Sequence, residues 1–147
     1  MSNRNTPIAK IPAEILEDVF TGHDAAGCGT EKGMKYLLKF IERFNSIPNA
    51  VKFFIYDLLA EDAYQSKNTE ICRDSAAKAL YYLPEAQTEA SKSYKDYFKN
   101  IRCFERSINL AVNDGDFEKA LLFCEQATAL GLGKEYAAKK NSIERMI

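Results

Sequence analysis

From Ile15 to Met146, apolar side chains return every three or four residues, and that interval constrains the fold more than any other property of the chain. A 3.6-residue period places such side chains on one face of an α-helix, whereas a half-buried strand needs strict alternation. Seven segments carry the helical period. The first opens at Pro12, suited to the first helical position, runs through Ile15, Leu16, Val19 and Phe20, and is predicted to end at Gly22. The stretch TGHDAAGCGTEKG then reads as a connection with Thr30 as a helix N-cap. Met34, Leu37, Leu38, Ile41 and Phe44 predict a helix over 31–45, and Pro48 opens another over 48–66 with Val51, Phe54, Ile55, Leu58 and Leu59 on a broad apolar face. A fourth starts at Thr69 and is predicted to stop at Pro84. Tyr94, Tyr97, Phe98, Ile101, Phe104, Ile108 and Ala111 form the fifth and cleanest stripe. Asp116 caps a sixth helix, carrying Phe117, Ala120, Leu121, Cys124 and Leu130 up to Gly131. The last, over 134–146, is polar except for Tyr136, Ala137, Ile143 and Met146. The one Asp-Gly pair, Asp114-Gly115, lies between helical stripes rather than alternating ones, so no hairpin is predicted. The expected fold class is all-α, about seven helices stacked as antiparallel pairs.

With 147 residues the chain is long enough for one domain with a sizeable core, and residues 1–147 are read as a single domain with a flexible N-terminus over 1–11. Lys plus Arg number 20 and Asp plus Glu 21, giving a formal charge of −1 spread over both halves. Nucleic acid is thereby disfavoured as a partner, because phosphate neutralisation needs a basic surplus. No stretch approaches the eighteen or so apolar residues of a membrane helix, and the first twenty residues hold no apolar run of signal-peptide length. Cys28, Cys72, Cys103 and Cys124 are far apart, with no C-x-x-C pair and a single histidine, His23. No metal site and no cofactor are therefore expected; Cys72, Cys103 and Cys124, inside helical patterns, read as small apolar packing residues, and a cytoplasmic protein is expected.

Three fragments resemble one another: KYLLKF from Lys35, KALYYL from Lys78 and KALLFC from Lys119, at separations of 43 and 41 residues. Around the second, Tyr56, Leu59, Ala60, Cys72, Ala76, Ala79 and Pro84 follow a bulky–Leu–small, then small–small–small–Pro spacing. Around the third, Phe104, Ala111, Gly115, Phe117, Ala120, Cys124 and Ala127 nearly repeat it. Small residues there let two paired helices cross closely. This pattern resembles the tetratricopeptide repeat, with units over 53–84 and 101–132, a degenerate helix pair over 12–45 and a polar capping helix over 134–146. The sequence departs from the pattern at Ile108, where a small residue is usual, and at Lys67 and Thr69, where the turn glycine and an aromatic would stand.

The resemblance implies a right-handed superhelix whose first helices line a concave groove. From the first unit, Asp57, Glu61, Tyr64 and Gln65 would face it, and from the second, Arg102, Glu105, Arg106, Asn109 and Asn113. Such a groove would be acidic at one end and basic at the other, and would take a peptide or protein partner of complementary mixed charge. Arg102 and Arg106 belong to a basic row with Lys95 and Lys99 at intervals of 4, 3 and 4, which one helix would present on one face. An adaptor, a chaperone-like binder or an inhibitor of another protein would all need only this surface; homo-oligomerisation is compatible with it. No catalytic residue is assigned. The alternative is a small enzyme or enzyme subunit using Cys28 and His23, or a self-assembling structural protein, but no third group to orient the imidazole is apparent, and His23 reads as a solvent-exposed loop histidine.

Overall fold

The computed structural model describes residues 12–44, 46–90 and 100–147. The predicted flexible N-terminus, the aromatic side chains of Tyr94, Tyr97 and Phe98, and Lys95 and Lys99 of the basic row lie outside them. Seven helices form in order, with no strand among the described residues: α1 Pro12–Ala26, α2 Glu31–Arg43, α3 Asn49–Gln65, α4 Thr69–Ala90, α5 Cys103–Asn113, α6 Phe117–Ala129 and α7 Glu135–Glu144.

Helix α3 is the centre of the molecule and packs against α1, α2, α4 and α5, whereas α7 rests chiefly on α6. Phe53, Ile55, Leu59, Ala60 and Ala63 of α3 are all 1% exposed or less, and Leu16, Val19 and Leu37 close over them from α1 and α2. Each large side chain removed from water in this way contributes roughly 1.5–3 kcal/mol. Phe54 meets Phe53 edge-on at 4.9 Å between centroids and Phe20 of α1 at 6.4 Å. The small residues expected at close helix crossings are buried as required: Ala60, Cys72, Ala76 and Ala79 between α3 and α4, and Ala111, Ala120, Cys124 and Ala127 between α5 and α6.

Three short turns repeat one geometry. After α3, the Asn68 N–H donates to the Ala63 carbonyl and the Lys67 N–H to that of Tyr64; after α5, Asp116 and Gly115 do the same to Ala111 and Val112; after α6, Leu132 and Gly131 to Ala127 and Thr128. This is the paired closure that ends a helix on one left-handed residue. Gly115 and Gly131 fill that position with φ of 77° and 70°, and Lys67 fills it with φ of 61°.

Three predicted boundaries shift. Helix α1 continues past Gly22 to Ala26, because that glycine is a point of close approach rather than a stop: a Cβ there would overlap the Tyr36 hydroxyl of α2. Helix α4 continues past Pro84 to Ala90, with Ala86 fully buried on its inner side and the Thr88 hydroxyl donating to the Pro84 carbonyl at 3.1 Å. Helix α5 starts only at Cys103, so residues 100–102 interrupt the stripe that the period predicted to be continuous. Of the basic row, Arg102 therefore stands just before α5 and Arg106 on it, while Lys95 and Lys99 lie outside the described residues.

Candidate functional site

Of the nine residues nominated for the groove, the structure brings eight together, but mostly onto one another. Asp57 is the exception. It is 4% exposed, and its Oδ1 accepts the Arg102 N–H at 2.8 Å and the Cys103 N–H at 2.6 Å, capping α5 from across the core. Burial pushes its carboxyl up to about 7, against the two backbone donors that pull it down. Asp57 is therefore a structural link and not a groove residue, a correction the sequence did not announce because a cap is normally supplied by a neighbouring residue.

The remaining charges form one chain of contacts. Gln65 Nε2 donates to Glu61 Oε2 at 2.8 Å, and Glu61 Oε1 lies 3.2 Å from Arg106 Nε. Arg106 Nη2 meets Glu105 Oε1 at 2.8 Å, and Glu105 Oε2 accepts from Arg102 Nη1 at 3.0 Å. The Arg106 guanidinium also lies 3.7 Å from the centre of the Tyr64 ring. Arg106 is only 5% exposed and Arg102 is open to solvent. The expected separation into an acidic and a basic end is thus not found: Glu61 of α3 meets Arg106 across the α3–α5 contact, and Glu105 of α5 itself pairs with both Arg102 and Arg106.

Beyond this network Tyr64, Asn109 and Asn113 open onto a groove of about 690 Å³ between α5 and α7. Its floor is apolar, from Ile108, Val112 and Ile143, with Met146 half exposed at one end and Glu135 and Lys139 on the α7 side. Among the described residues neither asparagine amide has a hydrogen-bond partner. Sequence reasoning missed the α7 wall because 134–146 reads as a polar cap; Ile143 and Met146, three residues apart at the end of that segment, were the available signal. A second cavity of about 220 Å³ shares Tyr64, Asn109 and Asn113 and is lined also by Arg106 and Asn68.

A second cluster forms at the α1–α2 turn. His23 lies inside α1 and is 2% exposed, not a loop residue in solvent as predicted. Its Nε2 sits 2.5 Å from Oδ2 of Asp62, itself 1% exposed on α3, and Asp62 Oδ1 accepts the Gly29 N–H at 2.7 Å. Asp62 is the orienting group that no local motif revealed; it stands on the buried face that Ile55 and Leu59 define at helical spacing, and a carboxylate on such a face was the readable signal. Cys28 Sγ lies 3.5 Å from His23 Nδ1 and donates to Asp24 Oδ1 at 2.9 Å. The order Cys28–His23–Asp62 is that of a nucleophile, base and orienter. The electrostatics run the other way: the hydrogen bond to Asp24, partial burial and the charges of Asp24 and Asp62 push the Cys28 thiol up to about 11, whereas an activated thiol needs the opposite shift. Cys72, Cys103 and Cys124 are buried, free thiols with packing roles.

Among the described residues no helix is long and apolar enough to cross a membrane. Set against known protein families, curated proteins and solved structures, the chain matches none.

Proposed function

We propose that this chain is a non-enzymatic interaction module that binds an extended segment of a partner protein in the groove between α5 and α7. The observation that carries this reading is the pair of uncommitted amides, Asn109 and Asn113, standing over an apolar floor. An extended peptide offers backbone N–H and C=O groups that an amide side chain matches in both senses, and apolar side chains that such a floor removes from water. The ion-pair chain from Arg102 to Gln65 then serves to hold α3 and α5 in register beside the groove rather than to meet the partner. Stacked helix pairs with small residues at their crossings support the tetratricopeptide-like reading, and with it an adaptor, chaperone-like or inhibitory role in which shape sets specificity. Unpaired buried thiols fit a cytoplasmic setting.

A random peptide library panned against the immobilised protein tests this, with an Asn113→Arg/Ser142→Arg variant as counter-target. Both positions are exposed, so the fold is retained. Enrichment of peptides that bind the parent protein at micromolar strength and lose at least about tenfold, or roughly 1.4 kcal/mol, on the variant is expected. Peptides that bind both proteins equally would place the interaction elsewhere.

A further inference from the structure

The cluster at the α1–α2 turn has the wrong electrostatics for a nucleophile and the right ones for a cation. Two carboxylates and a thiol surround one imidazole, at the carbonyl end of α1, where the helix carries partial negative charge. We propose that His23 Nδ1, Asp24 and Cys28 Sγ form a binding site for a zinc-class divalent cation, with Asp62 holding the histidine from behind.

The geometry supports this in three ways. The three ligand atoms lie within 4.8 Å of one another, close enough to share one ion. Zinc held tetrahedrally at ~2.3 Å from sulfur and ~2.0–2.1 Å from nitrogen sets those two atoms roughly 3.5 Å apart. The Cys28 Sγ to His23 Nδ1 distance is 3.5 Å. Finally, the Asp62 carboxylate accepts from Nε2, so that nitrogen carries the ring proton and Nδ1 presents its lone pair toward Cys28. A carboxylate behind a ligating histidine is the usual outer shell of a zinc site, and here it is buried and itself fixed by the Gly29 N–H.

On binding, the Cys28 S–H proton passes to solvent as the sulfur–metal bond forms, and the Sγ–H···Asp24 hydrogen bond is exchanged for two bonds to the ion. Three protein ligands leave a fourth position for water. Residues 23–28 supply every ligand, and Asp62 ties the ion to α3. The absence of a C-x-x-C pair hid the site, and the carboxylate that orients its histidine stands 39 positions away in sequence.

Chelator-treated full-length protein titrated with cobalt(II) provides the test, since a thiolate ligand gives a sulfur-to-cobalt charge-transfer absorption in the near ultraviolet. The expected result is one cobalt per chain with that absorption, its displacement by one equivalent of zinc, and its loss in Cys28→Ser, where the substituted residue is exposed. Asp62→Asn should weaken binding about 10–100-fold while the absorption persists. Should that buried change prevent folding, Asp24→Asn, at an exposed position, should weaken binding at least tenfold. Absence of the absorption at stoichiometric cobalt, or its survival in Cys28→Ser, would overturn the assignment.

Discussion

Lys67 stands where two equivalent turns of the same molecule carry glycine. Its φ of 61° is left-handed, and an L-residue with a Cβ loses roughly 1–2 kcal/mol there relative to ordinary backbone. The turn closes regardless, because the Asn68 and Lys67 N–H groups satisfy two α3 carbonyls and the Asn68 side chain caps α4 by accepting the Ile71 N–H at 3.1 Å. Lys67→Gly removes the clash and adds some freedom to the unfolded chain, so a net gain of about 0.5–1 kcal/mol is expected. Urea unfolding should show the midpoint moving upward with an unchanged slope. A lower midpoint would mean that the lysine side chain contributes more than its backbone costs. The same scale explains why the sequence reading found this turn irregular: the departure at Lys67 is a local strain and not a different structure.

At the scale of elements, the informative contact is the one between Asp57 and the start of α5. Because both backbone donors converge on Oδ1, a protonated carboxyl or an amide keeps the cap intact. In the unfolded chain Asp57 titrates near 3.9, and in the folded chain near 7, so the folded state holds a proton that the unfolded state releases between those values. The stability this group contributes is therefore complete below pH 4 and is lost as pH rises through 7. Asp57→Asn should flatten that part of the profile, leaving the variant's urea midpoint to gain on the parent protein's as pH goes from 4 to 8. Asp57→Ala, which removes the acceptor, should cost about 1–2 kcal/mol at pH 5. Parallel profiles for the parent and Asp57→Asn would show that the carboxyl titrates normally. The helices themselves were legible from period and caps: Thr30 accepts the Gly33 N–H and Asp116 the Lys119 N–H as their positions implied. What period could not reveal were links such as Asp57 to Cys103 and His23 to Asp62. A sequence window sees the face a residue lies on, not which distant element shares it. Hence the spacing of Asp57 points to the groove, and no motif near Asp62 in sequence singles it out.

Over the whole molecule the helices pack mainly on their neighbours in sequence, around α3 as a hub, while α7 leans chiefly on α6. Such an arrangement distributes stability unevenly: the hub opens only when everything opens, and a terminal helix with one main neighbour opens alone at lower cost. Only Tyr136 and Ile143 of α7 are buried, against ten residues of α3. Native-state hydrogen exchange should accordingly give α3 amides an opening free energy equal to that of global unfolding, and α7 amides one smaller by about 2 kcal/mol or more. Equal values in both helices would show a single cooperative unit and contradict the graded stack. The gradient bears on the proposed function, because α7 is one wall of the groove that holds Asn109 and Asn113. A peptide seated there binds only the closed state of α7, so at a free concentration of 100 Kd it must raise the α7 opening free energy by about 2.7 kcal/mol, while leaving α3 tied to global unfolding.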